Sequence, residues 1–256
     1  IIFIIIAIKK NIKYKKIEKE LSGKIQPSIK LKYYRDLPEQ EITPFEALII
    51  KDNIFNQIDY IKFGKLFSAT LLNLTLKGYI ELVQNADKKD NITIRIINKP
   101  TEMLKEDEIQ IFEFIKLLAN NKDEMTIKEM QNQITKKASK IEKLIEKTFK
   151  VTINNLVKDN KINKDEQKRY IDYTNIRDLY IVLAVLAICF VVFMPTGIIL
   201  AINSNIINKI VKKINVLTQT GVDEQEQFKG LKKYMEGFST MDKKEVPELV
   251  LWEKYL

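Results

Sequence analysis

The chain has 256 residues, 45% of them hydrophobic and 30% charged, which allows a real core in one to three domains. It contains no histidine, which excludes Ser-His-Asp triads, Cys-His dyads and His-ligated metals, and its one cysteine, Cys189, can form neither an internal disulfide nor a multi-Cys zinc cluster. Lys+Arg exceeds Asp+Glu by 43 to 34, for a net charge of +9. That excess reads either as contact with nucleic acid or anionic lipid headgroups, or as the Ile-, Lys- and Asn-rich bias of an AT-rich genome.

The sequence opens Ile1-Ile2-Phe3 rather than with Met, as expected of a fragment. Residues 1–8 are wholly apolar, and a helix of that length rises only about 12 Å, too short for a bilayer. They read as the end of a transmembrane helix, although a buried strand would also be apolar throughout. Lys9, Lys10, Lys13, Lys15, Lys16 and Lys19 follow, and lysines just beyond a span mark its cytoplasmic side and sit near anionic headgroups. Segment 9–43 is thus a basic juxtamembrane segment and linker, with Pro27, Pro38 and Pro44 disfavouring helix between Gly23 and Pro44.

At Thr43-Pro44-Phe45-Glu46 the pattern changes. A hydroxyl at the N-cap, proline at the first helical position and an acid in the first turn predict a helix start. A second helix fits Phe63–Lys77, with Phe63, Leu66, Phe67, Leu71 and Leu74 at helical spacing, stopping at Lys77-Gly78. Residues 79–83 and 92–97 read as strands around the polar turn 87–91. Helices followed by a hairpin is winged-helix order, so 44–100 is expected to be a first winged-helix-like domain. Segment 101–170 repeats the theme: a helix over 106–120, an extended piece at 125–127, helices over 128–134 and 138–159, and a wing reduced to 161–168.

Residues 179–202 carry no charge over a length close to a bilayer core, which predicts a transmembrane segment. Pro195-Thr196-Gly197 interrupts it, either as a kink in one span or as the turn of a short hairpin. Lysines flank it on both sides, which favours a return. Segment 203–256 is a cytoplasmic tail whose Phe228, Leu231, Tyr234, Met235 and Phe238 suggest an amphipathic helix, packed on the protein or lying on the membrane surface. Trp252 would anchor at the interface or fill a small core.

Tyr33-Tyr34-Arg35-Asp36-Leu37-Pro38 with Thr43-Pro44-Phe45-Glu46-Ala47 resembles a stretch of the YciQ-like predicted bacterial membrane proteins, domain-of-unknown-function family 2207. So do the block from Phe67 to Ile80, Leu217-Thr218 with Gly221, the run from Phe228 to Met235, and Trp252-Glu253-Lys254-Tyr255-Leu256. The resemblance implies a secretion signal, an extracytoplasmic β-rich domain and a membrane helix before this region. It further implies a cytoplasmic winged-helix region, closely spaced membrane segments and a cytoplasmic tail, with no catalytic residues to carry over.

Chemistry is sparse. With 7 glycines there is no phosphate-binding loop, and the acids at 106–108 and 223–226 suit helix N-termini better than acid–base work. Lys136, Lys137, Lys140, Lys143 and Lys147 line what reads as a basic helix face, but Glu142 and Glu146 alternate with them. The sequence therefore predicts a mainly α fold with small β-hairpins (α+β), tandem winged-helix-like cytoplasmic domains and transmembrane helical segments, in the bacterial cytoplasmic membrane. It reads as a non-enzymatic interaction or structural module needing no cofactor or metal, with the lipid bilayer and an unidentified protein as partners. A membrane-bound nucleic-acid-binding regulator is the alternative, and a transport or envelope-assembly accessory a third. Lys9, Lys10, Lys13, Lys136, Lys137, Lys140 and Lys143 are the candidate lipid-headgroup or nucleic-acid contacts.

Overall fold

The computed structural model describes residues 2–36, 41–84, 92–120, 122–190 and 193–239. The chain is mainly helical with one small antiparallel sheet. It divides into two compact units that do not follow chain order: residues 1–28 with 159–223, and residues 29–158 with 224–256.

The first unit is built on α1 (Ile2–Glu20), α7 (Lys164–Ile188) and α8 (Met194–Lys213). Contacts fix their directions. Ala7 meets Asn203 and Glu18 meets Lys213, so α1 and α8 run parallel. Arg177 meets Ser204 and Asn208 while Ile188 meets Gly197, so α7 runs antiparallel to α8. Asn163 caps α7 by accepting from the backbone N–H groups of Asp165 and Glu166.

The expected transmembrane segment 179–202 is therefore not one helix. It is divided between the end of α7 and the start of α8, and among the described residues no helix is long and apolar enough to cross a membrane. The break also falls before Pro195-Thr196-Gly197. Proline in the first turn of α8 sacrifices no hydrogen bond, because that N–H has no helical partner anyway. The wing expected at 161–168 is likewise absent: Ile162 pairs with Leu217 in a short antiparallel bridge, and Lys164 already begins α7.

Below the bundle the chain is clasped. Asn163 N–H donates to the Val216 carbonyl (2.8 Å), Thr218 N–H to the Lys161 carbonyl (3.1 Å) and Thr218 Oγ1 to the Asn160 carbonyl (2.6 Å). The presumed linker after α1 is pinned too, with Lys24 Nζ on the Ile214 carbonyl and Ile25 N–H on Asn215 Oδ1.

The second unit contains α2 (Pro44–Asp52), α3 (Tyr60–Leu76), β1 (Ile80–Gln84), β2 (Ile92–Ile96), α4 (Glu106–Leu118), β3 (Glu124–Thr126), α5 (Ile127–Lys136) and α6 (Ala138–Lys158). Most of α9 (Gln219–Ser239) also belongs here. Thr43 caps α2 as expected, in a reciprocal box with Glu46. Gly78 closes α3: Tyr79 N–H reaches the Leu74 carbonyl and Gly78 N–H the Thr75 carbonyl. The two blocks expected as successive winged-helix modules share one sheet of order β1-β2-β3, with Ile80 opposite Ile96 and Ile94 opposite Met125. They also share one core. Phe67 meets Phe114 edge-on at 6.4 Å between centroids, and Tyr79 meets Phe112 at 5.5 Å. The polar turn 87–91 lies outside the described residues, as does Trp252.

Gly221 sits against the clasp, where a Cβ would lie 2.2 Å from the Lys161 carbonyl oxygen. Gly221→Ala is expected to lower stability by roughly 2–3 kcal/mol, because the backbone must yield. Gly64→Ala meets nothing within 4 Å on α3 and should raise stability by about 0.5–1 kcal/mol. Chemical denaturation of the two variants in one detergent measures the contrast, and equal midpoints would contradict it.

Candidate membrane-insertion surface

In the first unit, one end of the bundle turns apolar side chains outward. Side chains that face outward there are apolar: Ile5, Ile6 and Ile8 of α1, Leu179 to Leu183 and Val185, Leu186 and Ile188 of α7 save the buried Tyr180, and Met194, Ile198 and Ile202 of α8. Water-facing monomers rarely carry so large a contiguous apolar surface. Ala7, Ala184 and Gly197 are buried within that end, and polar groups are buried at its inner margin. Asn203 is completely buried; its amide donates to the Ala7 carbonyl at 3.0 Å and its Oδ1 accepts from Asn11 Nδ2 at 2.8 Å. Ser204 Oγ is 3.4 Å from the Arg177 carbonyl, and the Tyr14 and Tyr180 hydroxyls lie 3.4 Å apart. These residues form a layer across the bundle. On one side of it α7 and α8 bear no charge; on the other lie Arg177, Lys209, Lys212 and Lys213.

Lys9, Lys10 and Lys13 are exposed on α1 beside this layer, with Lys10 Nζ 5.7 Å from the Tyr180 ring centroid. Lysines at the boundary between an apolar and a charged zone are where anionic headgroups would meet them. α1 and its lysines were legible as a charge step. The layer was not, because Asn11, Arg177 and Asn203 are scattered along the chain and each alone looks like an ordinary polar residue.

The remaining candidate lysines lie in the second unit and do not line one helix. α5 ends at Lys136 and α6 begins at Ala138, so the chain breaks at Lys137. Lys137 Nζ caps the end of α4 through the Leu117 carbonyl (2.7 Å) and Asn120 Oδ1 (3.2 Å), which is a structural duty. Lys136, Lys140 and Lys143 are exposed. On α3, Lys65 is exposed, but other polar residues are withdrawn from the surface or engaged. Thr70 is buried, Asn73 donates to Glu108, and Lys77 is paired with Glu108 and Glu41.

The acids at 106–108 are helix-terminal as expected, but two of them are also fully buried, which the sequence did not signal. Glu46, Asp107 and Glu108 come together where α2 and α4 begin. Lys105 pairs with Glu46 at 2.8 Å, Lys77 with Glu108 at 2.8 Å, and Thr43 Oγ1 donates to Asp107. Among the described residues, Glu46 Oε1 and Asp107 Oδ1 find no hydrogen-bond partner. Burial pushes the Asp107 carboxyl up to about 6, and the Glu46 and Glu108 charges add to the rise against the Thr43 hydrogen bond. Among the described residues no group of three or more His, Cys, Asp or Glu is placed to hold a metal ion.

A groove of about 640 Å³ also opens in the second unit, between α2, α3 and α9. Ala47, Leu48, Leu66, Phe228, Leu231 and Met235 supply its apolar wall, with Lys51, Lys62, Lys65 and Lys232 against Asp52 and Glu236 at its edge.

A family model described as "Predicted membrane protein (DUF2207) C-terminal domain" matches residues 30–256, and the chain belongs to that family. No curated protein and no solved structure gives a significant match.

The Asp107 environment has a pH signature. Its folded-state pKa lies above the ordinary 3.8, so the fold favours the protonated acid. Stability from this group is highest below about pH 4 and is lost as pH rises through about 6. The loss is on the order of 3 kcal/mol. Asp107→Asn should flatten this slope in pH-dependent denaturation; identical slopes for the variant and the parent would contradict the assignment.

Proposed function

We propose that this DUF2207-family chain is a non-catalytic membrane-seated module, holding a protein-interaction unit at the face of the bacterial cytoplasmic membrane. The observation that carries the reading is the apolar outer surface at one end of the first unit, bounded by a buried, hydrogen-bonded polar layer. A bilayer is the solvent that favours that arrangement, since lipid replaces water around the apolar groups and cannot satisfy the polar ones. The lysines beside the polar layer support a cytoplasmic, anionic headgroup boundary.

The second unit supports the interaction half of the reading. Helices α2, α3 and α4 with the three-stranded sheet support a winged-helix-like reading of this unit. Its apolar groove carries four lysines against two acids, which suits an acidic amphipathic helix of a protein partner. Nucleic acid as an alternative has less support, because Asn73 of α3 and Lys77 at its end serve the buried acid cluster and Lys137 is a cap. The absence of histidine and of a phosphate loop supports a non-enzymatic role.

The full chain should float with vesicles of phosphatidylcholine containing about one-third phosphatidylglycerol. The triple change Lys9→Glu, Lys10→Glu, Lys13→Glu should weaken binding at least tenfold on these vesicles and little on neutral ones. Failure to float with either would refute the membrane seat. In native membranes, a photocrosslinker placed at Leu48 should give a defined protein adduct that Lys51→Glu with Lys65→Glu abolishes. An adduct indifferent to those charges would count against the groove.

A further inference from the structure

We propose that the hairpin of α7 and α8 enters the bilayer from one side and turns back within the hydrocarbon, so that its occupant is the acyl chains of one leaflet. This rests on the reading that the first unit is seated in lipid.

Length is the first reason. The uncharged part of α7, Leu179 to Ile188, is about ten residues and rises about 15 Å, roughly half of a hydrocarbon core. On α8 the apolar part, Met194 to Ile202, ends at the buried Asn203 and is slightly shorter. Neither arm reaches the opposite headgroups.

The tip is the second reason. A hairpin that crossed the membrane would deliver its turn to water on the far side, and such turns are polar. Here the described residues on either side of the turn are Cys189 and Phe190, and Phe193 and Met194. Phe190 is 64% exposed, Phe193 54% and Met194 45%, and Cys189 is exposed as well. A tip with these side chains facing outward is matched to lipid, not to an aqueous compartment.

The backbone is the third. Peptide groups facing hydrocarbon must find partners within the protein. The Cys189 N–H donates to the Val185 carbonyl (3.2 Å), Phe190 N–H to Ala187 (3.3 Å) and Phe193 N–H to Phe190 (2.9 Å). The turn thus satisfies these donors locally. The two arms are held by a close approach: a Cβ on Gly197 would lie 3.0 Å from the Ala184 carbonyl and 2.8 Å from the Ile188 side chain. Small residues at a helix contact are how helices associate where water gives no hydrophobic drive. At the base, Asn203 and Arg177 meet the boundary, and Lys9 and Lys10 offer positive charge to anionic headgroups.

The native cysteine lies at the tip and reports its depth. The full chain is bound to preformed vesicles of phosphatidylcholine with one-third phosphatidylglycerol, and Cys189 is exposed to a membrane-impermeant maleimide, either outside or trapped in the lumen. Cys189→Ser with Lys213→Cys reports the base. The expected result is that Cys189 is protected from both pools and Lys213→Cys reacts from outside. A fluorophore placed at Cys189 before binding should be quenched at least twofold more by deep nitroxide lipids than by shallow ones. Reaction of Cys189 with the luminal maleimide would overturn the single-leaflet turn while leaving the membrane seat intact. Reaction of Cys189 with the outside maleimide, with no lipid quenching, would overturn the seat itself.

Discussion

Asn203 is the residue on which the first unit turns. Its amide is fully buried, yet it is satisfied on both sides, by the Asn11 side chain and the Ala7 carbonyl. An unpaired amide in so apolar a place would cost several kcal/mol, on the order of 2–7. The two hydrogen bonds therefore select one register of α1 along α8. That register sets where the lysines of α1 stand and where the apolar end of the bundle begins. Everything read above about lipid follows from this fixed step between two kinds of surface.

The second unit buries polarity for a different reason. Glu46 and Glu108 each reach back to the backbone N–H at the start of their own helix, so their burial serves capping. Lys105 and Lys77 neutralise part of the charge, and the Lys77 ammonium is raised above its usual value by Glu108 and Glu41 despite burial. Burial first, and then the two neighbouring carboxylates, raise the Asp107 carboxyl, and it is the group whose ionisation opposes folding. The buried charge of this unit gathers where two helix N-termini meet.

Local signals were legible where local chemistry decides them. The Thr43 cap, the Gly78 stop of α3 and the core spacing of Phe63, Leu66, Phe67, Leu71 and Leu74 were read from neighbours in the chain and stand. Non-local choices were not legible. Strand β3 reads as a new module's extended piece, but the free edge of β2 is the better partner for Met125 because Ile94 already lies in the core opposite it. Lys137 reads as one of a row of lysines until the helix breaks beneath it and its ammonium finds the end of α4. The 179–202 run shows the same limit in hydropathy, which reports the absence of charge but not where the helix ends.

That last distinction decides how an uncharged run meets a membrane. A single span needs one unbroken helix of about 20 residues, because any break exposes peptide groups to lipid. A break becomes tolerable only when its donors are met locally and its side chains are apolar. The described residues beside the turn between α7 and α8 fit both conditions: the N–H groups of Cys189, Phe190 and Phe193 close back onto Val185, Ala187 and Phe190, and Phe190 and Phe193 are exposed. Pro195, which would disrupt a span at mid-depth, instead starts a helix where its missing donor is an advantage. Gly197, which reads as a turn residue, instead lets the two arms touch. The features that weaken the run as a crossing helix are the ones that build it as a hairpin.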